Sequence, residues 1–157
     1  MTNLLLKREK GFSLIELLVV VSLIGILATL VLANLNAARQ RGRDAQRKSD
    51  LRNIQTTLRL YYNDYGKYPL NNAAGEIMGC GTSGITECTW GGDWTAGSTT
   101  YMPTLPSDPI TTMSYLYTRN DADSYSIKAC LENASDEDGV AEVGIDCSTN
   151  WMYMVEQ

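Results

Sequence analysis

Glu16 is the one charge inside a long apolar run, and a carboxylate there needs a partner. Within a membrane it costs about 2.5–3.5 kcal/mol at mid-bilayer and less near an end. Ser13-x-x-Glu16 also has the spacing of a capping box, in which the carboxylate closes a helix N-terminus. Further chemistry rests on Cys80, Cys88, Cys130 and Cys147, which all follow the apolar run. None forms a CxxC pair and the chain has no histidine, which argues against zinc. The even count implies two disulfides formed in an oxidising compartment. Of the three pairings, Cys80–Cys88 with Cys130–Cys147 is expected because both close local loops. Between the latter two stand Glu132, Asp136, Glu137, Asp138, Glu142 and Asp146. Asp136-Glu137-Asp138-Gly139 places oxygen ligands in a tight turn, which suggests calcium at Asp136 and Asp138. The full EF-hand pattern is lacking, and a solvated acidic loop is the competing reading. Asn133-Ala134-Ser135 fits a glycosylation acceptor, a short pattern that often arises by chance. Without histidine a Ser-His-Asp or Cys-His site is excluded, and no other nucleophile–base constellation is present, so an enzyme is not expected.

The elements that must hold these residues follow from hydropathy and charge. From Leu17 to Ala33 there are seventeen uncharged residues. As a helix, Phe12 to Ala33 spans about 33 Å, the thickness of a bilayer's hydrocarbon core. A buried core helix of a soluble protein is the alternative, but a head this small could not surround it. Residues 1–68 carry a net charge of +6 and residues 69–157 a net of −11. The acidic part repels phosphate backbones and argues against direct nucleic-acid binding. The basic surplus adjoins the apolar run, where anionic lipid head groups, or simply solvent, would meet it.

Before the run stand eleven residues, MTNLLLKREKG, with Lys7, Arg8 and Lys10 just ahead of Gly11. A secretory signal places its apolar core before the cleavage site. Here a site at Gly11 precedes the core, so cleavage leaves the hydrophobic helix on the mature chain. Gly11-Phe12-Ser13-Leu14-Ile15-Glu16-Leu17 closely resembles the signature of type IV prepilins and type II secretion pseudopilins. The resemblance implies a membrane peptidase that cuts between Gly11 and Phe12 and methylates the new amine of Phe12. It also implies a second role for Glu16, pairing with the Phe12 amine of a neighbouring subunit and setting filament register. The basic leader predicts a cytoplasmic N-terminus, although Arg39, Arg41, Arg43, Arg47 and Lys48 flank the other end and favour the reverse. The cysteines, the acidic head and the resemblance favour the head outside. Many pilins carry proline at the twenty-second mature position; here it is Ala33, with Gly25 retained at the other end of that segment.

Beyond Ala33 the helix is expected to continue into water. Leu51, Ile54, Leu58, Tyr61 and Tyr65 keep helical spacing and predict a stripe under a sheet. Gly42 marks a bend, and Gly66 with Pro69 supplies the stop. Phe12 to Tyr65 would run about 80 Å, more than its own head requires, so neighbours must bury it. Residues 66–112 read as irregular, with eight of the thirteen glycines between Gly66 and Gly97. Trp90 and Trp94 could form an adhesive contact surface or pack over the sheet. Strands are expected near Met113–Thr118, over the alternating run around Tyr125–Leu131, and at Trp151–Val155, with Asn120–Asp123 as a turn. The fold class is α+β and pilin-like, a long N-terminal helix on a three- or four-stranded antiparallel sheet. The expected organisation is 1–11 leader, 12–35 transmembrane and filament-core helix, 36–65 amphipathic helix, and 66–157 head.

These features predict a structural subunit of a type IV pilus, a helical homopolymer. Its implied partners are prepilin peptidase, an inner-membrane assembly platform and the bilayer before assembly. It would start in the bacterial inner membrane, N-terminus in and head out, and end in a surface pilus. The rivals are a major pseudopilin of type II secretion or a competence pilus, and a membrane-tethered binding module that never polymerises. Asp108-Pro109 followed by Tyr115 and Tyr117 faintly resembles the pseudopilin head, but the usual Trp-Gly after Asp-Pro is absent.

Overall fold

The computed structural model describes residues 11–142 and 147–157. The leader bases Lys7, Arg8 and Lys10, and Asp146 of the acidic loop, lie outside them. The long helix α1 spans Leu14–Tyr65, and the chain divides into two units, one ending at Arg39 and one running Gln40–Gln157. In the first unit the helix start uses the capping box: the Ser13 N–H donates to Glu16 at 3.1 Å, and the Ile15 N–H donates to Ser13 Oγ at 3.3 Å. These bonds satisfy amides that have no partner within the helix itself. Helical assignment continues through the expected bend at Gly42. It ends where Gly66 turns left-handed at φ 65° and donates its N–H to the Tyr62 carbonyl, a conformation that a side chain would strain.

The second unit is built on one face of α1. Leu51, Ile54, Leu58 and Tyr61 are buried at the expected spacing, and Asp44 and Arg47 extend the same stripe towards the N-terminus. Tyr65 departs from the expectation. It is 39% exposed and stacks on Tyr61.

The segment expected to be irregular contains two short antiparallel hairpins. β1 (Leu70–Asn71) pairs with β2 (Ile77–Met78), and β3 (Trp94–Ala96) with β4 (Thr99–Met102). Strands of two to four residues show no alternation to read, and their glycines serve turns: Gly97, at φ 61°, follows Ala96 in a two-residue connection.

The principal sheet has four antiparallel strands in the order β5-β6-β8-β7: β5 (Leu116–Arg119), β6 (Tyr125–Cys130), β7 (Val140–Ala141) and β8 (Trp151–Glu156). Tyr117, Tyr125, Ile127 and Ala129 face the helix stripe, together with Tyr115 just before β5 and Leu131 just after β6. β7 was not foreseen, being two residues on the sheet edge. The expected architecture is realised: a long apolar helix followed by a small antiparallel sheet on its later half.

Candidate assembly site

The first unit has no interior. Leu14, Leu17, Leu18 and Val21 are exposed, as are the large apolar residues onward to Leu35. An 18-residue window of α1 reaches a mean hydropathy of 2.8 with none of it buried, long and apolar enough to cross a membrane. The hydroxyls on this stretch are turned back on the helix. Ser22 Oγ donates to the Leu18 carbonyl at 2.6 Å and Thr29 Oγ1 to the Ile26 carbonyl at 2.7 Å. They therefore present no unbonded donor to an apolar neighbour. Phe12, next to Gly11, is 87% exposed. Within one chain Glu16 acts as the cap. A partner from a second chain would draw on the same carboxylate.

In the second unit both disulfides have the expected connectivity, Cys80–Cys88 and Cys130–Cys147, and no cysteine is free. The first fastens the loop that leads to β3; the second ties the end of β6 to the segment entering β8. Trp94 is fully buried, with Nε1 donating to the Gly79 carbonyl at 3.0 Å, and Trp90 packs edge-on against Tyr115. The two tryptophans thus belong to the packing under the head rather than to an adhesive surface.

A polar cluster missed in the sequence joins the head loops to the helix. Arg47 is wholly buried. Its guanidinium donates Nε and Nη2 to the two oxygens of Asp108 at 2.7 and 2.9 Å, and Nη1 to Asp44 and Glu132, each at 2.8 Å. Arg43 forks onto both Glu132 oxygens at 2.7 and 2.6 Å. Asp44 also accepts the backbone N–H groups of Glu132 and Asn133, each at 2.9 Å. Burial opposes the Arg47 charge, but the bonds from Asp108 and Glu132 outweigh it and raise its pKa further. The Arg43 bond, followed by that of Arg47, holds the Glu132 carboxyl down at about 2. The available signal was spacing: Asp44 and Arg47 continue the 51–54–58–61 stripe by steps of three and four.

Lys48 Nζ stands between Asp136 at 2.5 Å and Asp138 at 2.8 Å. Its hydrogen bond lowers the Asp136 pKa. Calcium takes six to eight oxygens. Asp136 and Asp138 already share an ammonium, and no group of three or more metal-ligating side chains occurs among the described residues. Three of the five bases after the apolar run, Arg43, Arg47 and Lys48, thus find their counter-charges in the head itself.

Comparison with known proteins covers less than half of the chain. Residues 6–32 match the family described as the prokaryotic N-terminal methylation motif. The chain is 39% identical over 69 residues to the type IV wide pilus major component PilA4 of Thermus thermophilus, covering 44% of this chain and 53% of the relative. It is 34% identical over 62 residues to the type II secretion system core protein G of Pectobacterium carotovorum, covering 40% of each. It is 33% identical over 61 residues to the type IV major pilin PilA of Myxococcus xanthus, covering 39% of this chain and 28% of the relative. The chain spans about half or less of the length of these relatives. No solved structure matches it. The chain thus carries the prokaryotic N-terminal methylation motif and is similar, over part of its length, to type IV pilins and to type II secretion system core proteins G.

Proposed function

We propose that this chain is the structural subunit of a type IV pilus, cleaved between Gly11 and Phe12, methylated on the Phe12 amine, and polymerised through its N-terminal helix. The observation that carries the proposal is an apolar helical stretch, exposed on every side, immediately after the methylation motif. At roughly 25 cal/mol per Å² of apolar surface, leaving such a helix in water is untenable. A bilayer satisfies it before assembly and neighbouring copies satisfy it afterwards. Before assembly the N-terminus lies in the cytoplasm and the disulfide-bonded head outside. Glu16 leaves its role as an intrachain cap and pairs with the Phe12 amine of the adjacent copy. The role is structural rather than enzymatic.

The type II secretion relatives support a second reading, a major pseudopilin. Intact-mass spectrometry of the membrane-extracted protein tests the processing: the mature mass should begin at Phe12 with one added methyl. A chain that keeps Met1, or is cut beyond Ala33, refutes the subunit reading. Electron microscopy of cells with and without the gene separates the alternatives. Long surface filaments lost on deletion support the pilus; lost secretion with filaments retained supports the pseudopilin.

A further inference from the structure

Two surface features of the second unit lie towards opposite ends of its share of α1, and their chemistry is complementary. Near the helix C-terminus is a cleft of about 220 Å³. Its wall includes the buried Tyr61 and Tyr68, and at its edge Leu70 and Ile85 are 60% and 67% exposed. Lys67 and Arg119 stand on the same rim, and among the described residues neither forms an ion pair. The cleft is fixed in shape. Tyr61 Oη donates to the Gly84 carbonyl at 3.0 Å, and Gly84 holds φ 65°, which sets the turn that presents Ile85. An apolar hollow rimmed by two cations suits an apolar side chain flanked by carboxylates.

The head itself displays such a group. In the turn Asp136–Gly139, Glu137 and Asp138 are exposed, and Val140 follows at 44% exposure. This knob is also held in place. The Gly139 N–H donates to the Asp136 carbonyl at 3.1 Å, Trp151 Nε1 donates to the same carbonyl at 3.0 Å, and Lys48 ties Asp136 and Asp138 to the helix. A Cβ on Gly139 would collide with the Trp151 indole, so the approach is available only to glycine. Preorganisation on both sides lowers the entropy lost on docking. From Lys48, where the knob is tied, to Tyr61, on the cleft, is about 20 Å along the helix axis.

One chain thus carries a knob and a cleft at separated sites, and neither is complementary to itself. That is the requirement for a heterologous head-to-tail contact, which propagates into an open helical array instead of closing as a dimer. We propose that in the filament the Glu137–Val140 turn of one copy seats in the Tyr61–Ile85 cleft of the next. Val140 meets Leu70 and Ile85, and Glu137 and Asp138 face Lys67 and Arg119. The occupant is a second copy of this chain, so the proposal rests on the filament reading above.

The test uses the full-length chain expressed with its processing and assembly machinery. Ile85→Cys combined with Val140→Cys should turn sheared filaments into a ladder of covalent multimers on a non-reducing gel. Ile85→Cys with Ser98→Cys should not. Lys67→Glu with Arg119→Glu should cut filament yield at least tenfold, and adding Glu137→Lys, which leaves the Lys48 pairs of the knob intact, should restore at least half of the lost yield. Thermal melts of the mature variants check that each head still folds; the thiol pair serves if charge reversal unfolds it. Filaments of normal yield without a ladder, or capture of the thiols by a polypeptide of different mass, overturn the contact while leaving the filament intact. Mature wild-type subunit that makes no filaments overturns the subunit reading, and this contact falls with it.

Discussion

Replacing Arg47 with methionine should weaken the head by about 3–5 kcal/mol at pH 7. The substitution keeps the apolar stem and removes the charge. Asp108 then loses both of its guanidinium bonds and retains the Ile110 N–H at 2.8 Å; Asp44 retains two backbone N–H groups. Both carboxylates remain buried without a neutralising cation, the situation in which breaking one side of a buried pair costs this much. Against a total stability of about 5–15 kcal/mol for a domain, the loss is large.

Acid should weaken the cluster through Glu132. In the wild type Glu132 is held at about 2 from an ordinary 4.5, a stabilisation of roughly 3 kcal/mol at 1.36 kcal/mol per unit. That contribution is complete above pH 4.5 and is lost as pH falls towards 2. Arg43, the larger cause of that depression, remains in the mutant, so most of this loss is common to both chains. Urea unfolding of the mature chains in detergent, followed by tryptophan fluorescence at pH 7, 5.5 and 4, measures both. A deficit below about 1 kcal/mol at pH 7, or wild-type stability that does not fall between pH 5.5 and 4, would refute the electrostatic account of the cluster.

Glu16→Ala and Glu16→Gln should both permit membrane insertion and leader cleavage while reducing sheared filament yield. A cap alone would cost about 1 kcal/mol and be rescued by Gln, so abundant filaments from both variants would exclude the charge pair. Replacing Cys130 and Cys147 with serine should cost the head about 3 kcal/mol on the chain-entropy model, read from urea midpoints. Unchanged midpoints would show that the loop is held by its polar contacts alone. Lys48→Met should speed Glu-specific proteolysis after Glu137 several-fold, whereas EDTA or added calcium should leave wild-type thermal stability unchanged. A calcium-induced rise of several degrees in the wild type would mean that the acidic loop takes a metal despite its lysine.

The parts legible in the sequence were those repeated over many residues. The helix from Leu14 to Tyr65, the stripe through Tyr61 and the alternation of β6 each draw on several positions with one period. The N-terminal methylation motif was legible for another reason: Gly11 to Leu17 are contiguous along the chain. The Arg47 cluster was not, because Asp44, Asp108 and Glu132 come from three distant segments, and a charge on a basic stretch ordinarily means solvent or lipid. The lysine between Asp136 and Asp138 was hidden for the same reason, standing some ninety residues before them. The hairpins β1–β2 and β3–β4 are too short for periodicity and are held by glycine turns and one local disulfide.

The two disulfides bridge separations of 8 and 17 residues, and each begins and ends beyond Gly66. Neither links the sheet or its loops to the helix on which they lie. A mechanical load that draws the helical segment from Gln40 onward out of the head therefore crosses no disulfide, and the two stay joined through the backbone after Tyr65. It is borne by the Arg43, Arg47 and Lys48 ion pairs and by the apolar stripe, loaded in shear along the helix axis. Under such tension the weak points are non-covalent and can re-form, while the loops, each closed on itself, come away with their own connectivity intact. A reductant would loosen the loops of the displaced head far more than it would change the force needed to displace it.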